Sequence, residues 1–392
     1  MRLVFALPHV PWPPIGGGRA RNWFLSSALA RRHESHLFAL QAPDEPAEEQ
    51  PAALPYASVQ IVPVPSASPP RFSAAWITLR LRSLRHPAAA FYQPDAERQF
   101  AALVQRVRPD AIVYGMSWML PYARAAQGVP GIVDEQNYDP QITARIAAGE
   151  RGLASLKWRL YVAITARAER RNLRLVQGIA PCSEEDAAIF RREAPHADVE
   201  VVPNGVDTEA ITPQPLGDAV VMTGTFSYPP NLEGARWLAR EVWPLVRRAA
   251  PAACLRFVGL RGEEVLRDLA ALPGVTVVGA VPDMRPELAL ARVAVAPISV
   301  GGGTRIKILE AFAAGRPVVA TRIGAEGLAV TDGDTALLRD EPQGFADAIL
   351  RLLNDQPLAE AMGARARALV VQRYDWRASA ERLEALVQRV AQ

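Results

Sequence analysis

Short apolar runs alternate with stretches of helical period from one end of the chain to the other. Arg2 to Leu7 (RLVFAL) has the unbroken apolar character of a strand covered on both faces, and an amphipathic helix is predicted from about Arg19 to Arg32. Further strands are expected at Ser58 to Val64, Ala111 to Tyr114, Gly131 to Asp134 and Leu175 to Pro181, with helices at Asp95 to Val107, Leu153 to Leu173 and Glu184 to Glu193. After a turn at Asn204-Gly205 and a linker holding Pro213 and Pro215, the same wiring restarts. Strands are predicted at Ala219 to Thr223, Leu255 to Val258, Val275 to Val278, Val293 to Pro297 and Pro317 to Thr321. Helices are predicted through Trp237 and over Gln343 to Leu353, Pro357 to Val371 and Trp376 to Val390. Strand-helix alternation of this kind argues for α/β architecture with parallel sheets, here two Rossmann-like domains facing a central cleft. The stretch Pro65 to Pro94 interleaves aromatics with arginines and has no clean period. It reads as a helix with aromatic anchors, an acceptor loop, or a surface for anionic lipid.

Length agrees with two domains, since 392 residues exceed what one core usually serves. Hydrophobic residues make up 49% and charged residues 22%, an ordinary globular composition; the net charge is +3. Only two of the 44 basic residues, Lys157 and Lys307, are lysine, so single arginines carry little information and a retained lysine carries more. Cys182 and Cys254 form no C-x-x-C, and neither a disulfide framework nor a zinc site is indicated. The start reads as a first strand rather than a signal peptide, and no run is long enough to span a bilayer, which makes a cytoplasmic setting the expectation.

The chemistry concentrates in SVGGGTRIKILEAFAAGRPVVATRIGAEGL, starting at Ser299. Gly301, Gly302 and Gly303 follow a predicted strand and Thr304 is placed to cap the next helix. A side-chain-free loop at the positive end of a helix suits a phosphate, and Arg305 and Lys307 add a forked donor and a point charge. Glu310 lies three residues beyond Lys307, on roughly the same face, and a carboxylate there can accept from the paired hydroxyls of a ribose. A solvated i,i+3 ion pair is the plainer alternative, weakened by the apolar flanks Ile308, Leu309, Ala311 and Phe312. Two more loops are similarly placed: GTFSYPPN, with Gly224, Thr225 and Phe226, and PPIGGGRARN, with Gly17 and Gly18. Each alone reads equally as a tight turn.

Taken together, these segments resemble the family-4-type retaining glycosyltransferases of GT-B fold, in particular bacterial members with a GGGTRxKxLEAxAxGxPVVxTxxGAEGL signature. VVPNGVD, TGTFSYPPN, GAVPDMRP and the terminal RYDW extend the resemblance over nearly the whole chain, most closely in its C-terminal half. It implies an acceptor-binding domain over 1–203, onto which a helix at about 374–392 packs, and a donor-binding domain over 204–373. It also implies a nucleotide-diphosphate sugar as co-substrate and a hydroxyl acceptor on a glycan, glycolipid or small molecule. Further implications are transfer with retention and no cofactor or required metal; no nucleic-acid partner is expected, and the basic stretch KWRLYVAITARAERRNLR reads as a solvated or interdomain helix face or as a surface for peripheral contact with the inner membrane. By this analogy Glu310 binds the ribose, Arg305 and Lys307 lie near the diphosphate, and the backbone around Val281 and Asp283 borders the base.

Three departures qualify the analogy. The first carboxylate of the E-x7-E signature falls at Gly302, and GTFSYPPN lacks the Arg and Lys common in that loop, so Arg305 and Lys307 are expected to take over part of that charge. Where the family often has a histidine, IVDEQNYDP offers Gln136, which can hydrogen-bond a sugar but cannot serve as a base. Asp134 and Glu135 can, which keeps an inverting mechanism open; they also suit a strand cap. A catalytically silent nucleotide-binding partner and a sugar-nucleotide epimerase remain as alternatives.

Overall fold

The computed structural model describes residues 1–42, 51, 53–65, 91–126, 128–148, 153–300 and 304–392. Most of the aromatic and arginine stretch, and the Gly301, Gly302 and Gly303 loop, lie outside them. The chain divides into two compact units, Met1–Pro203 with Arg377–Gln392, and Asn204–Trp376.

In the first unit, seven parallel strands run β3-β2-β1-β4-β5-β6-β7: β1 (Arg2–Leu7), β2 (Glu34–Gln41), β3 (Ser58–Pro63), β4 (Ala111–Gly115), β5 (Gly131–Glu135), β6 (Gly178–Pro181) and β7 (Asp198–Val199). β1, β4 and β5 are buried along almost their whole lengths, as strands covered on both faces must be. Helices Gly17–Ala30, Pro94–Val107, Asp139–Ala148, Leu153–Leu173 and Glu184–Glu193 supply that cover. Ser117–Ala126 winds as a 3-10 helix, with Pro121 inside it unable to donate an α-helical hydrogen bond.

In the second unit, six parallel strands run β10-β9-β8-β11-β12-β13: β8 (Ala219–Thr223), β9 (Leu255–Val258), β10 (Val275–Val278), β11 (Ala291–Ala296), β12 (Val318–Ala320) and β13 (Leu337–Leu338). Chain order reverses between β1 and β4 in one sheet and between β8 and β11 in the other. The loops leaving the carboxyl ends of those strands therefore diverge and leave a crevice.

VVPNGVD and RYDW, far apart in sequence, close on each other. Val206 bridges Asp375, the Thr208 hydroxyl donates to Asp375 at 2.5 Å, and Gly205 lies so near Trp376 that a Cβ would meet it at 2.8 Å. Two arginines tie the linker to its unit without a carboxylate: Arg367 donates to the carbonyls of Thr208, Ile211 and Ala313, and Arg316 to those of Gln214, Pro215 and Ala291. The terminal helix, Trp376–Val390, lays Leu386 and Val390 over Gly178, and its Glu384 takes Arg32 at 2.6 Å and His33 at 2.8 Å.

Candidate functional site

The second unit gathers the sequence candidates at its β8/β11 crevice. β11 leads, past the loop, into the helix Ile306–Ala313, which carries Lys307 and Glu310; β8 leads into Gly224 and Thr225. Parallel pairing of β8 with β11 sets those two exits side by side. Lys307 spans the gap: its Nζ donates to Asn231 Oδ1 at 2.7 Å, and the Asn231 amide donates in turn to the Thr225 carbonyl at 2.9 Å. At Gly224 a Cβ would stand 2.9 Å from Lys307 Nζ and 3.0 Å from Asn231 Nδ2, so glycine is what allows the ammonium to approach. The lysine stem crosses a hollow lined by Val221, Ala296, Ile308 and Ala311. Burial pulls the ammonium down to about 7, with the Arg305 guanidinium adding to the effect and Glu310 opposing it.

Glu310 lies three residues along the same helix, half-buried, and among the described residues its carboxylate takes no hydrogen bond. Burial pushes it up to about 7 against the pull of Lys307. Desolvated groups of opposite sign on one face, each acting on the other, can receive a ligand carrying both an anion and hydroxyls.

Thr304 does not cap this helix. Arg305 holds the capping position in extended conformation, and the Thr304 hydroxyl instead accepts from the Asn204 amide at 2.7 Å. Phe226 is also corrected: its side chain is wholly buried against Phe257, so only its backbone can face a ligand. Val281, beyond β10 in the chain, packs on the small cluster of Ala219, Val221, Val258 and Ala291. Gly302 and Gly303 lie outside the described residues.

In the first unit, Gly16 takes φ +83° before the helix Gly17–Ala30, a conformation open to glycine at little cost. Gly17 and Gly18 form the exposed and half-exposed first turn, and Gln136, just past β5, places its amide 3.4 Å from the Gly18 carbonyl. Neighbouring residues on a strand face opposite ways, and this separates the remaining candidates. Asp134 is bound by Arg21, Oδ1 lying 2.6 Å from the guanidinium in a fully buried pair, and Arg21 also donates to the carbonyls of Val202 and Ala180. Glu135 turns away from Gln136 into the protein. Burial, then the charges of Glu169 and Asp139, raise it well above the usual carboxylate range, while burial and Asp139 push Glu169 up to about 8. Asp134 is thus engaged by a buried guanidinium, and Glu135 is buried with its carboxyl raised, an arrangement that sets both against serving as an accessible base.

The sequence reading passed over two residues, one in each unit. Asn231 was visible only as part of GTFSYPPN. His9, immediately after β1, lies 3.4 Å from the Asn22 amide and is held uncharged, burial and Arg19 pulling it down to about 4. Its position after the first strand was the available signal.

Against known proteins, the profile described as Glycosyltransferase Family 4 matches residues 15–210, half of the chain, and that described as Glycosyl transferases group 1 matches 217–355. A phosphatidyl-myo-inositol mannosyltransferase of Mycobacterium leprae is 31% identical over 215 residues, covering 52% of this chain and 56% of the relative. A D-inositol 3-phosphate glycosyltransferase of Corynebacterium diphtheriae is 42% identical over 80 residues, 20% of this chain and 18% of the relative. Among solved structures, sucrose-phosphate synthase from Thermosynechococcus elongatus superposes with TM-score 0.72 at 18% identity, over 99% of this chain and 98% of that one. Anabaena HepE in complex with UDP-glucose gives TM-score 0.65 at 16% identity, over 100% and 98%. Likeness at that identity is likeness of fold.

Proposed function

Because the chain belongs to glycosyltransferase family 4, we propose that it moves a sugar from a nucleotide-diphosphate donor to a hydroxyl acceptor on a glycan, glycolipid or small molecule. One observation carries the reading: Lys307, from the β11 side of the crevice, stands against Gly224 on the β8 side, with Glu310 three residues further along the same helix. In this reading the diphosphate lies at Lys307, Arg305 and the backbone of Gly224 and Thr225. The ribose hydroxyls reach Glu310, and Val281 borders the base. HepE was solved with UDP-glucose, which supports a sugar nucleotide as the donor class.

Bond cleavage leaves negative charge on the diphosphate, and a cation already fixed in a desolvated site stabilises that charge without reorganising. This supports turnover without a metal. The engagement of Asp134 with Arg21 and the burial of Glu135 remove the two carboxylates at β5 as bases. That favours retention, with Gln136 assigned to hydrogen-bond the transferred sugar. We assign the protein a cytoplasmic setting with peripheral contact to an anionic membrane.

A donor panel of UDP-, GDP-, ADP- and dTDP-sugars tests the function. We expect slow hydrolysis of one donor, unaffected by EDTA, a product of retained anomeric configuration by NMR, and turnover lowered in Lys307→Ala even at saturating donor. Interconversion of the sugar would mark an epimerase, and binding with no turnover a silent partner.

A further inference from the structure

Asn231 is 8% exposed and uses both ends of its amide, the oxygen for Lys307 Nζ at 2.7 Å and the nitrogen for the Thr225 carbonyl at 2.9 Å. The two bonds fix its orientation, since flipping the amide would set like against like at both ends. Lys307 is therefore held against Gly224 by a neutral acceptor. The charged groups acting on it, Arg305 and Glu310, both belong to its own segment. Asn231's helix, Pro229–Trp237, and the β8 exit present amide and backbone groups to it among the described residues, but no carboxylate. An amide satisfies a hydrogen bond of a desolvated amine and leaves its charge uncompensated, whereas a carboxylate at the same place would compensate it permanently.

Resting on the donor-site reading above, we propose that Asn231 is a positioning residue that holds Lys307 against the Gly224 loop without neutralising it, so that capture of a nucleoside diphosphate is coupled to uptake of a proton by Lys307. The proton comes from solvent onto the amine nitrogen, and no covalent bond changes in the ligand. Free of ligand, the amine shares its proton with solvent near neutrality. With a diphosphate beside it, the charged form is favoured and the proton stays.

Titration calorimetry on the full chain, with UDP and GDP as probes, tests this in two buffers of different ionisation enthalpy. At about pH 8 a carboxylate in Glu310's range and the diphosphate are mostly ionised already, so any proton taken up reports Lys307. The wild type is expected to take up most of one proton per nucleotide bound, and Lys307→Arg none. In Asn231→Asp the new carboxylate keeps the amine charged beforehand, so uptake falls below about a third of the wild-type value and affinity falls by about tenfold. If Asn231 only braced the loop, Asn231→Asp would lose affinity with its proton count unchanged. That result, or binding by the wild type with no uptake, overturns the proposal. Failure of the folded wild type to bind either nucleotide would overturn the donor-site reading itself.

Discussion

Glu310 sits where folding and binding want different things from one carboxylate. Folding desolvates it, and its ordinary value near 4.5 is pushed up to about 7. Because the folded state holds the proton more tightly, the resulting stabilisation is complete below about 4.5 and is lost as pH rises through about 7. Glu310→Gln removes that dependence. The variant is expected to be no less stable than the wild type at about pH 8, with its advantage growing across the window from about 4.5 to 7, as read from midpoints of thermal unfolding. Hydrogen bonds to a charged acceptor contribute about 1.5–3 kcal/mol, so Glu310→Ala should weaken nucleotide binding by roughly tenfold to a hundredfold. A variant that unfolds more readily yet binds the nucleotide equally well would make Glu310 a structural residue.

At the scale of elements, β5 separates two adjacent carboxylates into opposite fates. Asp134 joins β5 to the helix Gly17–Ala30 through Arg21, which also reaches the carbonyls of Ala180 and Val202. Removing one partner of a buried pair typically costs about 3–5 kcal/mol, and Asp134→Asn should do so in urea unfolding. Glu135→Gln, which replaces a buried carboxyl whose hold on its proton is raised by burial with an isosteric amide, should cost less than about 1 kcal/mol. If the two variants behave alike, the facing read from the strand is wrong. The same strand shows what the sequence could disclose. Its apolar run located it, but whether Asp134 or Glu135 met a partner depended on Arg21, more than a hundred residues earlier in the chain. Helices such as Trp376–Val390 were legible to the residue because one apolar period runs their length. β2 was not, since Glu34, Ser35 and His36 are polar and leave its first half without an apolar run. Lys307 and Glu310 were legible from spacing and from the rarity of lysine, whereas the Lys307–Asn231 contact follows from β8 lying beside β11, an order that no local pattern encodes. The burial of the Phe226 side chain was not legible, because a phenylalanine after a glycine loop has the same local signature whether it lines a ligand or fills a core.

For the molecule as a whole, a net charge of +3 is too small to dictate a partner, but the distribution of that charge is informative. Along the helix Leu153–Leu173, Arg159, Arg167, Arg170 and Arg171 are exposed together with Leu160, which is 62% exposed. The one acid of that helix, Glu169, is buried, and Arg170 pairs with Glu193. A basic face bearing an exposed leucine suits the headgroup layer of an anionic bilayer, each cation contributing about 1 kcal/mol near such a surface. Among the described residues no helix is long and apolar enough to cross a membrane, so such a contact would lie on the surface. We expect the protein to co-sediment with vesicles containing phosphatidylglycerol and not with pure phosphatidylcholine. Binding should fall steeply between low and physiological salt, where the screening length shrinks to about 8 Å. Arg167→Glu combined with Arg171→Glu should abolish it while leaving nucleotide binding intact, because neither residue is near Lys307 in the chain or belongs to its unit. Equal binding to neutral vesicles, or binding that survives the double reversal, would assign those arginines to solvent alone.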